Sequence, residues 1–236
     1  MNFTSDRRSS VHRIVLCLMF TVGAAWAGSE SPMGPPTGGG PYRASDLVEL
    51  VTLDPGIKLD IRYATSNNFL GKPVYAEARA FLQRPAAEAL LAAHRWLRTK
   101  GYGIVIHDGY RPWAITKLFW DSTPPEQRIF VADPATGSRH NRGCAIDIGM
   151  YELANGREVA MPGEYDEMSE RSFVTYTGGT AAARAARDLL REAMEREGYF
   201  FVLPEEWWHY DYKDFREYAI EDIPFSAINR ASAAAP

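Results

Sequence analysis

Two short stretches of the sequence hold side chains that could bind a metal ion. His140 and Asp147 lie seven residues apart in GSRHNRGCAID, where Gly143 loosens the backbone, and PEEWWHYDY places Glu206 three residues before His209. A catalytic zinc site needs three protein ligands and one position left open for water. A histidine bonded to a nearby carboxylate explains either pair alone. The two pairs together, in a chain with five histidines, favour a metal site made of His140, Asp147 and His209.

A hydrolytic metal site also needs a base that does not bind the metal, and Glu206 is the candidate. Residues three apart in a regular strand face opposite sides, so Glu206 and His209 reach one ion only if Glu206 sits in a turn before the strand. Pro204 makes such a turn plausible. In HDGYRPW, Arg111 is either the structural ion-pair partner of Asp108 or a cation that stabilises charge on a carbonyl oxygen. Both roles are compatible.

The elements that must position these residues are read from hydrophobic periodicity and turn residues. Alternating patterns predict strands at 47–53 and 57–65, separated by Asp54-Pro55-Gly56, and short apolar runs predict strands at 102–108, 145–151, 199–203 and 207–212. Helices are predicted from Pro85 to about Lys100, with Gly101 as C-cap, and over 111–122.

A third helix is predicted after Thr180, as its cap, and before Gly198. Its apolar face is predicted to contain Ala182, Ala185, Ala186, Leu189, Leu190 and Ala193. Because strands and helices do not alternate regularly, we expect an α+β fold. It should be a single domain with a mainly antiparallel central sheet flanked by helices, and the zinc site should lie at the sheet.

The N-terminus has the form of a secretory signal peptide. Three arginines precede an apolar run at 14–26, and Ala25-Trp26-Ala27 has the small-x-small form of a cleavage site. We therefore expect cleavage after Ala27 and a periplasmic or secreted protein without a membrane span. A membrane anchor is the alternative, but the apolar run is short for a bilayer. The Gly- and Pro-rich segment 28–42 is expected to be a flexible leader, 43–225 the single folded domain, and 226–236 a disordered tail.

Composition and net charge indicate which classes of binding partner can be expected. Removing residues 1–27 takes away three arginines and one aspartate, which moves the formal net charge from −4 to about −6. Nucleic-acid binding normally requires a basic patch, and none is visible, so no nucleic-acid partner is expected. The remaining chain has one cysteine, Cys144, and cannot form an intramolecular disulfide.

Five blocks in the chain together resemble the D-alanyl-D-alanine dipeptidases, a family of zinc peptidases. They are DIRYATSNNFLGKPVY (60–75), DGYRP (108–112), SRHNRGCAIDIGMY (138–151), YDEMSERS (165–172) and EWWHY (206–210). The resemblance runs from about Leu47 to about Pro224. It departs from the family pattern at Cys144, where a serine or alanine is expected, and at Gly149-Met150. We interpret Cys144 as a buried thiol rather than a fourth ligand, which would close the position needed for water.

The resemblance implies a role for each matching residue. One zinc ion per chain would be held by His140, Asp147 and His209, with Glu206 as general base and Arg111 stabilising the transition state. The substrate's ammonium would be bound by Asp166, and the resemblance associates Ser138 and Tyr63 with the substrate pocket.

The expected function is therefore zinc-dependent hydrolysis of D-Ala-D-Ala, or a similar D,D-dipeptide, to free amino acids by an exported enzyme. One alternative is a zinc D,D- or L,D-carboxypeptidase or endopeptidase acting on peptidoglycan stem peptides. Another is a non-catalytic, zinc-stabilised cell-wall binding module. A structural zinc site normally uses four protein ligands, which argues against the binding module.

Overall fold

A computed structural model describes residues 34–228 of the chain. The predicted signal peptide, residues 28–33 of the predicted leader and residues 229–236 of the predicted tail lie outside the described residues. Residues 34–46 contain no helix or strand. At the other end, Phe225–Ala227 forms a 3-10 turn, and Ile228 is buried. The exact domain boundaries stay a prediction.

The centre of the fold is a five-stranded sheet. In chain order the strands are β1 (Leu47–Glu49), β2 (Lys58–Leu59), β3 (Phe81–Gln83), β4 (Tyr102–Asp108), β5 (Ala145–Glu152), β6 (Phe200–Leu203) and β7 (Glu206–Tyr212). The large sheet has the order β2-β4-β5-β7-β6, and every neighbouring pair in it except β2–β4 is antiparallel. The predicted α+β fold with a mainly antiparallel sheet is confirmed.

Three α-helices accompany the sheet in the described part of the chain: α1 (Arg84–Thr99), α2 (Trp113–Ser122) and α3 (Ala181–Glu195). All three were predicted. Helix α1 ends before Gly101, which takes a left-handed φ of 89°, and Thr180 caps α3 by accepting a hydrogen bond from the Ala183 amide.

The predicted apolar face of α3 is wrong in part. Ala182 and Ala185 are exposed, whereas the buried positions are Ala183, Arg187, Leu190, Ala193 and Met194. Arg187 fits this face because its guanidinium donates to the carbonyl oxygen of Tyr176 at 2.7 Å. Because one of the buried positions is a cation, the hydrophobic pattern alone did not reveal which face of α3 is buried.

The first two predicted strands are much shorter than expected. Strand β1 stops at Glu49 and continues as a 3-10 turn, Leu50–Thr52, and it pairs with β3, which the sequence did not predict. Strand β2 has two residues and is followed by the 3-10 turn Arg62–Ala64. This second turn is stabilised from outside, because the carbonyl of Tyr63 accepts hydrogen bonds from the amides of Val74 and Tyr75. The local turns override the alternating pattern and place the buried Tyr63 side chain beside the site described below.

The core lies on both faces of the middle strands. Residues 145–151 of β5 are all buried, and Leu90 and Leu97 of α1 are fully enclosed with Ile104 and Ile106 of β4. Strand β5 is thus covered on both faces and paired along both edges, which fixes the backbone that carries Asp147.

Within residues 34–228, none of the helices combines the length and the apolar character needed to cross a bilayer.

Candidate active site

The sheet register aligns polar side chains from three adjacent strands. Asp147 on β5 pairs with His209 on β7 and, on its other side, with Asp108 on β4. The register of β4 and β5 shifts between Ile106 and Asp108, so a bulge at His107 brings Asp108 opposite Asp147. Bulges commonly redirect side chains next to functional sites.

His140 reaches the same place from the loop before β5. It opens a 3-10 turn that ends at Gly143, where φ is 63°, a backbone conformation that glycine adopts at little cost. Nδ1 of His140 lies 2.7 Å from the carbonyl oxygen of Gly109. Because a carbonyl only accepts, Nδ1 carries the proton, and the lone pair of Nε2 is available to a ligand.

Three donor atoms meet at this point. Nε2 of His140 lies 3.1 Å from Nδ1 of His209 and 3.3 Å from Oδ1 of Asp147, and these last two atoms are 3.0 Å apart. Ligand atoms of a tetrahedral zinc ion, at about 2.0–2.1 Å from the metal, lie roughly 3.3 Å from one another. The donor chemistry and spacing therefore fit a tetrahedral ion with three protein ligands.

A second carboxylate orients His209 through its other ring nitrogen. Its Nε2 lies 2.9 Å from Oδ1 of Asp211, the arrangement in which a carboxylate fixes the ring of a metal-binding histidine. Although burial opposes the charged imidazolium, hydrogen bonds to Asp147 and Asp211 raise the pKa of His209 to about 10. Nδ1, which faces the cluster, is the nitrogen at which a metal ion would replace the proton.

Arg111 is fixed beside the donor cluster. Its Nε and a terminal nitrogen both contact Oδ2 of Asp108, at 2.8 and 2.7 Å, and the terminal nitrogen is 3.8 Å from Oδ2 of Asp147. Tyr75 donates to the other Asp108 oxygen at 2.9 Å. Asp108 thus forms the expected ion pair, and that pair holds the guanidinium against the cluster.

Glu206 faces the cluster because β7 is irregular. Glu206 is the first residue of the strand and follows the turn at Pro204-Glu205. Val202 pairs with Tyr210, but Leu203 pairs with Glu206, so three residues of β7 bulge out. Oε2 of Glu206 consequently lies 3.8 Å from Nδ1 of His209. Burial raises the pKa of Glu206 to about 8.

The cluster opens into a small cavity of about 190 Å³ whose wall includes Tyr63, Ser138 and Asp166. The hydroxyl of Tyr63 donates to the Asp166 carboxylate, 3.0 and 2.9 Å from its two oxygens. Burial raises the pKa of Asp166 to about 7. Ser138 accepts a hydrogen bond from the His140 amide at 3.2 Å. The eight site residues identified from the sequence therefore line one cavity or contact its wall.

Comparison with known proteins assigns the chain to a family. Residues 43–226 match the M15 peptidase family described as D-Ala-D-Ala dipeptidase. The chain belongs to this family. A D-alanyl-D-alanine dipeptidase of Escherichia coli is 32% identical over 184 residues, which cover 78% of this chain and 93% of that protein.

Two further proteins show the extent of the similarity. A D-alanyl-D-alanine dipeptidase of Enterococcus faecium is 36% identical over 177 residues, or 67% of this chain and 87% of its own. A solved structure of an LD-carboxypeptidase, LdcB, aligns over 80% of both chains at 19% identity, with a TM-score of 0.37.

Several residues that support the site in this member of the D-Ala-D-Ala dipeptidase family were not found from the sequence. Asp211 had an available signal, because it lies two residues after His209 and so on the same strand face. Tyr165, whose hydroxyl donates to Oδ2 of Asp147 at 3.2 Å, had no such spacing. Gly109 contributes only a backbone carbonyl, which no residue pattern reveals.

Cys144 is fully buried within the same family domain. Burial raises the pKa of its thiol far above the ordinary value. Among the described residues, the group with metal-site spacing consists of His140, Asp147 and His209, without Cys144.

Proposed function

We propose that the protein is an exported zinc-dependent dipeptidase that hydrolyses D-Ala-D-Ala, or a similar D,D-dipeptide, to free amino acids. The main support is the close approach of His140, Asp147 and His209, 3.0–3.3 Å between donor atoms, with Glu206 beside them. Membership of a dipeptidase family supports the reaction class. Three ligands, rather than four, are typical of catalytic zinc sites.

The protein side chains divide the chemistry between them. A zinc ion held by His140, Asp147 and His209 would supply a Lewis acid that polarises the scissile carbonyl and acidifies water. Oε2 of Glu206 takes the proton of the attacking water and then delivers it to the leaving amine. A raised pKa suits this role, because a base works best when its pKa is near the working pH. The Arg111 guanidinium, held by Asp108, stabilises the negative charge that develops on the carbonyl oxygen.

Asp166 gives the preference for a free amino terminus. Its carboxylate, held by Tyr63, binds the substrate's ammonium group. A peptide extended at that end would bury the carboxylate without a cationic partner, at a cost of about 1–3 kcal/mol or more. The small cavity also suits a dipeptide better than a long peptide stem.

The test is a dipeptide panel assayed with and without a chelator, together with metal analysis. We expect D-Ala-D-Ala to be hydrolysed, chelation to stop turnover, and zinc to be recovered at one ion per chain. Glu206→Gln should keep its zinc and lose at least about 10²-fold in kcat, the scale of general-base catalysis. Unchanged turnover in this variant would contradict the assignment of the base.

The same assay separates the alternatives. Preferential cleavage of a pentapeptide stem over the free dipeptide would indicate a carboxypeptidase or endopeptidase. Zinc-dependent wall binding without hydrolysis would indicate a binding module. Export is tested by N-terminal sequencing of the protein recovered outside the cytoplasm, which should begin at Gly28; an intact Met1 on that protein would contradict cleavage.

A further inference from the structure

A free dipeptide carries two charges, and the proposed function accounts for one of them. Asp166 binds the ammonium, but the carboxylate at the other end also enters the cavity. The cavity wall carries four carboxylates, on Asp147, Asp166, Glu205 and Glu206. Where ionised, these groups repel an anion, and a cation in the wall would offset that repulsion for a free carboxylate.

The two arginines that line the cavity are Arg111 and Arg139. Arg111 is buried and already paired with Asp108. Its guanidinium also lies 5.4 Å from the ring centre of Tyr63, the residue that holds Asp166. Arg111 therefore belongs to the half of the site that receives the ammonium and the scissile carbonyl.

Arg139 lies at the opposite end of a continuous series of contacts. From Asp166 and Tyr63, the series passes through Arg111 and Asp147 to His209. The far nitrogen of His209 contacts Asp211, whose Oδ2 is 3.4 Å from Nε of Arg139. The metal-binding cluster thus lies within the series of contacts that joins Asp166 to Arg139, and a substrate that spans the cluster would present one charged end to each of them.

The Arg139 guanidinium is positioned yet accessible. It lies 5.1 Å from the ring centre of Phe215, and its side chain is 44% exposed. Within residues 34–228, Asp211 is the carboxylate at ion-pair distance from it, and the contact is made through Nε. Since that ion pair is made through Nε, the two terminal nitrogens remain for a second anion, and a guanidinium can bind a carboxylate through two parallel hydrogen bonds.

We propose that Arg139 binds the free carboxylate of the dipeptide and so selects substrates that end at the second residue. This inference rests on the proposed function. Arg139 is a specificity-determining residue rather than a catalytic one, because the carboxylate does not react.

The test measures binding in the Glu206→Gln background, loaded with zinc, so that turnover does not interfere. Calorimetry with D-Ala-D-Ala and with D-alanyl-D-alaninamide compares a charged terminus with a neutral one. Adding Arg139→Gln should weaken binding of the acid by about 10-fold, the scale of a charge-assisted contact at a partly exposed site. It should leave binding of the amide unchanged, and Arg139→Lys should recover part of the loss.

Lys213→Gln is the matched control, because it removes one positive charge from a side chain that is 41% exposed and does not line the cavity. It should bind both ligands like the parent. Equal weakening of both ligands by Arg139→Gln, or loss of zinc, would show that Arg139 acts only through Asp211 and would overturn the inference. An unchanged acid affinity would also overturn it. Failure of the proposed function is a separate result, seen as absence of D-Ala-D-Ala hydrolysis by the parent enzyme.

Discussion

Asp166 shows how the site uses an uncommon backbone conformation at a single residue. Its φ is 66°, and it is the non-glycine residue in the left-handed region among residues 34–228. Aspartate tolerates this region better than most residues, but the conformation still costs about 1 kcal/mol or more. The two contacts from Tyr63 help to hold the carboxylate where a substrate ammonium would meet it.

The pKa of Asp166 gives a prediction for substrate affinity against pH. Burial raises that pKa to about 7, so the carboxyl is largely neutral below pH 7 and charged above it. Dipeptide affinity should increase as pH rises through about 7, because only the anion pairs with the ammonium. Titration calorimetry from pH 5.5 to 7.5 with zinc-loaded Glu206→Gln would measure this, because the α-amino group of the dipeptide stays largely protonated below its pKa of about 8. Adding Asp166→Asn should weaken binding and remove the dependence; an identical profile in that variant would assign it to another group.

The carboxyl group of Asp166 also lowers the stability of the folded state as pH rises. Its pKa is higher in the folded chain than the ordinary 3.8, so the folded state binds the proton more tightly. The stabilisation from that proton is present below about pH 4 and is lost as pH rises through about 7. An enzyme that keeps such a group in its cavity trades stability for a charged binding site.

At the scale of elements, the sequence predicted the parts with strong patterns. Helices α1 and α3 have clear ends at Gly101 and Thr180, and β4 to β7 have apolar runs long enough to recognise. Strand β3 has three residues and owes its existence to pairing with β1, a contact that is distant in sequence. Local patterns hold no information about such pairing, which explains why β1 and β3 were misjudged.

The site itself was also predictable only in part. The residues after β4 and within β5 and β7 were found because they stand at or near strand ends with chemically distinctive types. The three-residue bulge that lets Glu206 and His209 share one side was expected only as a turn before the strand. Its form depends on simultaneous pairing of β7 with β5 and β6, so no single segment specifies it.

Gly143 tests how far the turn before β5 controls the site. With φ at 63°, an added Cβ would lie 2.4 Å from a methyl group of Leu47 and 3.3 Å from the backbone nitrogen of Gln83. Gly143→Ala should therefore destabilise the fold by more than the roughly 1–2 kcal/mol of the backbone conformation alone. It should also weaken zinc binding, because the turn that it ends begins with His140.

Gly198→Ala is the control for this variant. Gly198 has a similar φ of 69°, and an added Cβ would meet nothing within 4 Å. It should show only the backbone cost in urea unfolding and bind zinc like the parent. Equal zinc affinities in the two variants would show that the turn does not set the position of His140.

For the whole molecule, the decisive feature is the concentration of buried ionisable groups at the centre of the sheet. Asp108 and Asp147 are almost completely buried, and Arg111 is the cation in contact with both. Burying charge is costly unless it is compensated, and Glu206 adds a further carboxyl nearby. His209, whose pKa is raised to about 10 by Asp147 and Asp211, supplies a second positive charge here. A metal ion would take the place of its proton beside Asp147, and because the ion's three ligands come together only in the folded chain, metal binding and folding should be linked.

The linkage predicts a metal-dependent melting temperature. A ligand that binds only the folded state at 100 times its Kd stabilises it by about 2.7 kcal/mol, which for a chain of this size raises Tm by roughly 5–10 °C. Calorimetry of the zinc-loaded protein against the chelator-treated protein would measure the shift. His140→Gln removes one donor and should lose most of the shift, whereas the exposed-site variant Lys213→Gln should keep it. If the Tm of the parent protein did not change with the chelator, the fold would compensate its central carboxylates without a metal ion. The catalytic proposal would then lack its physical basis.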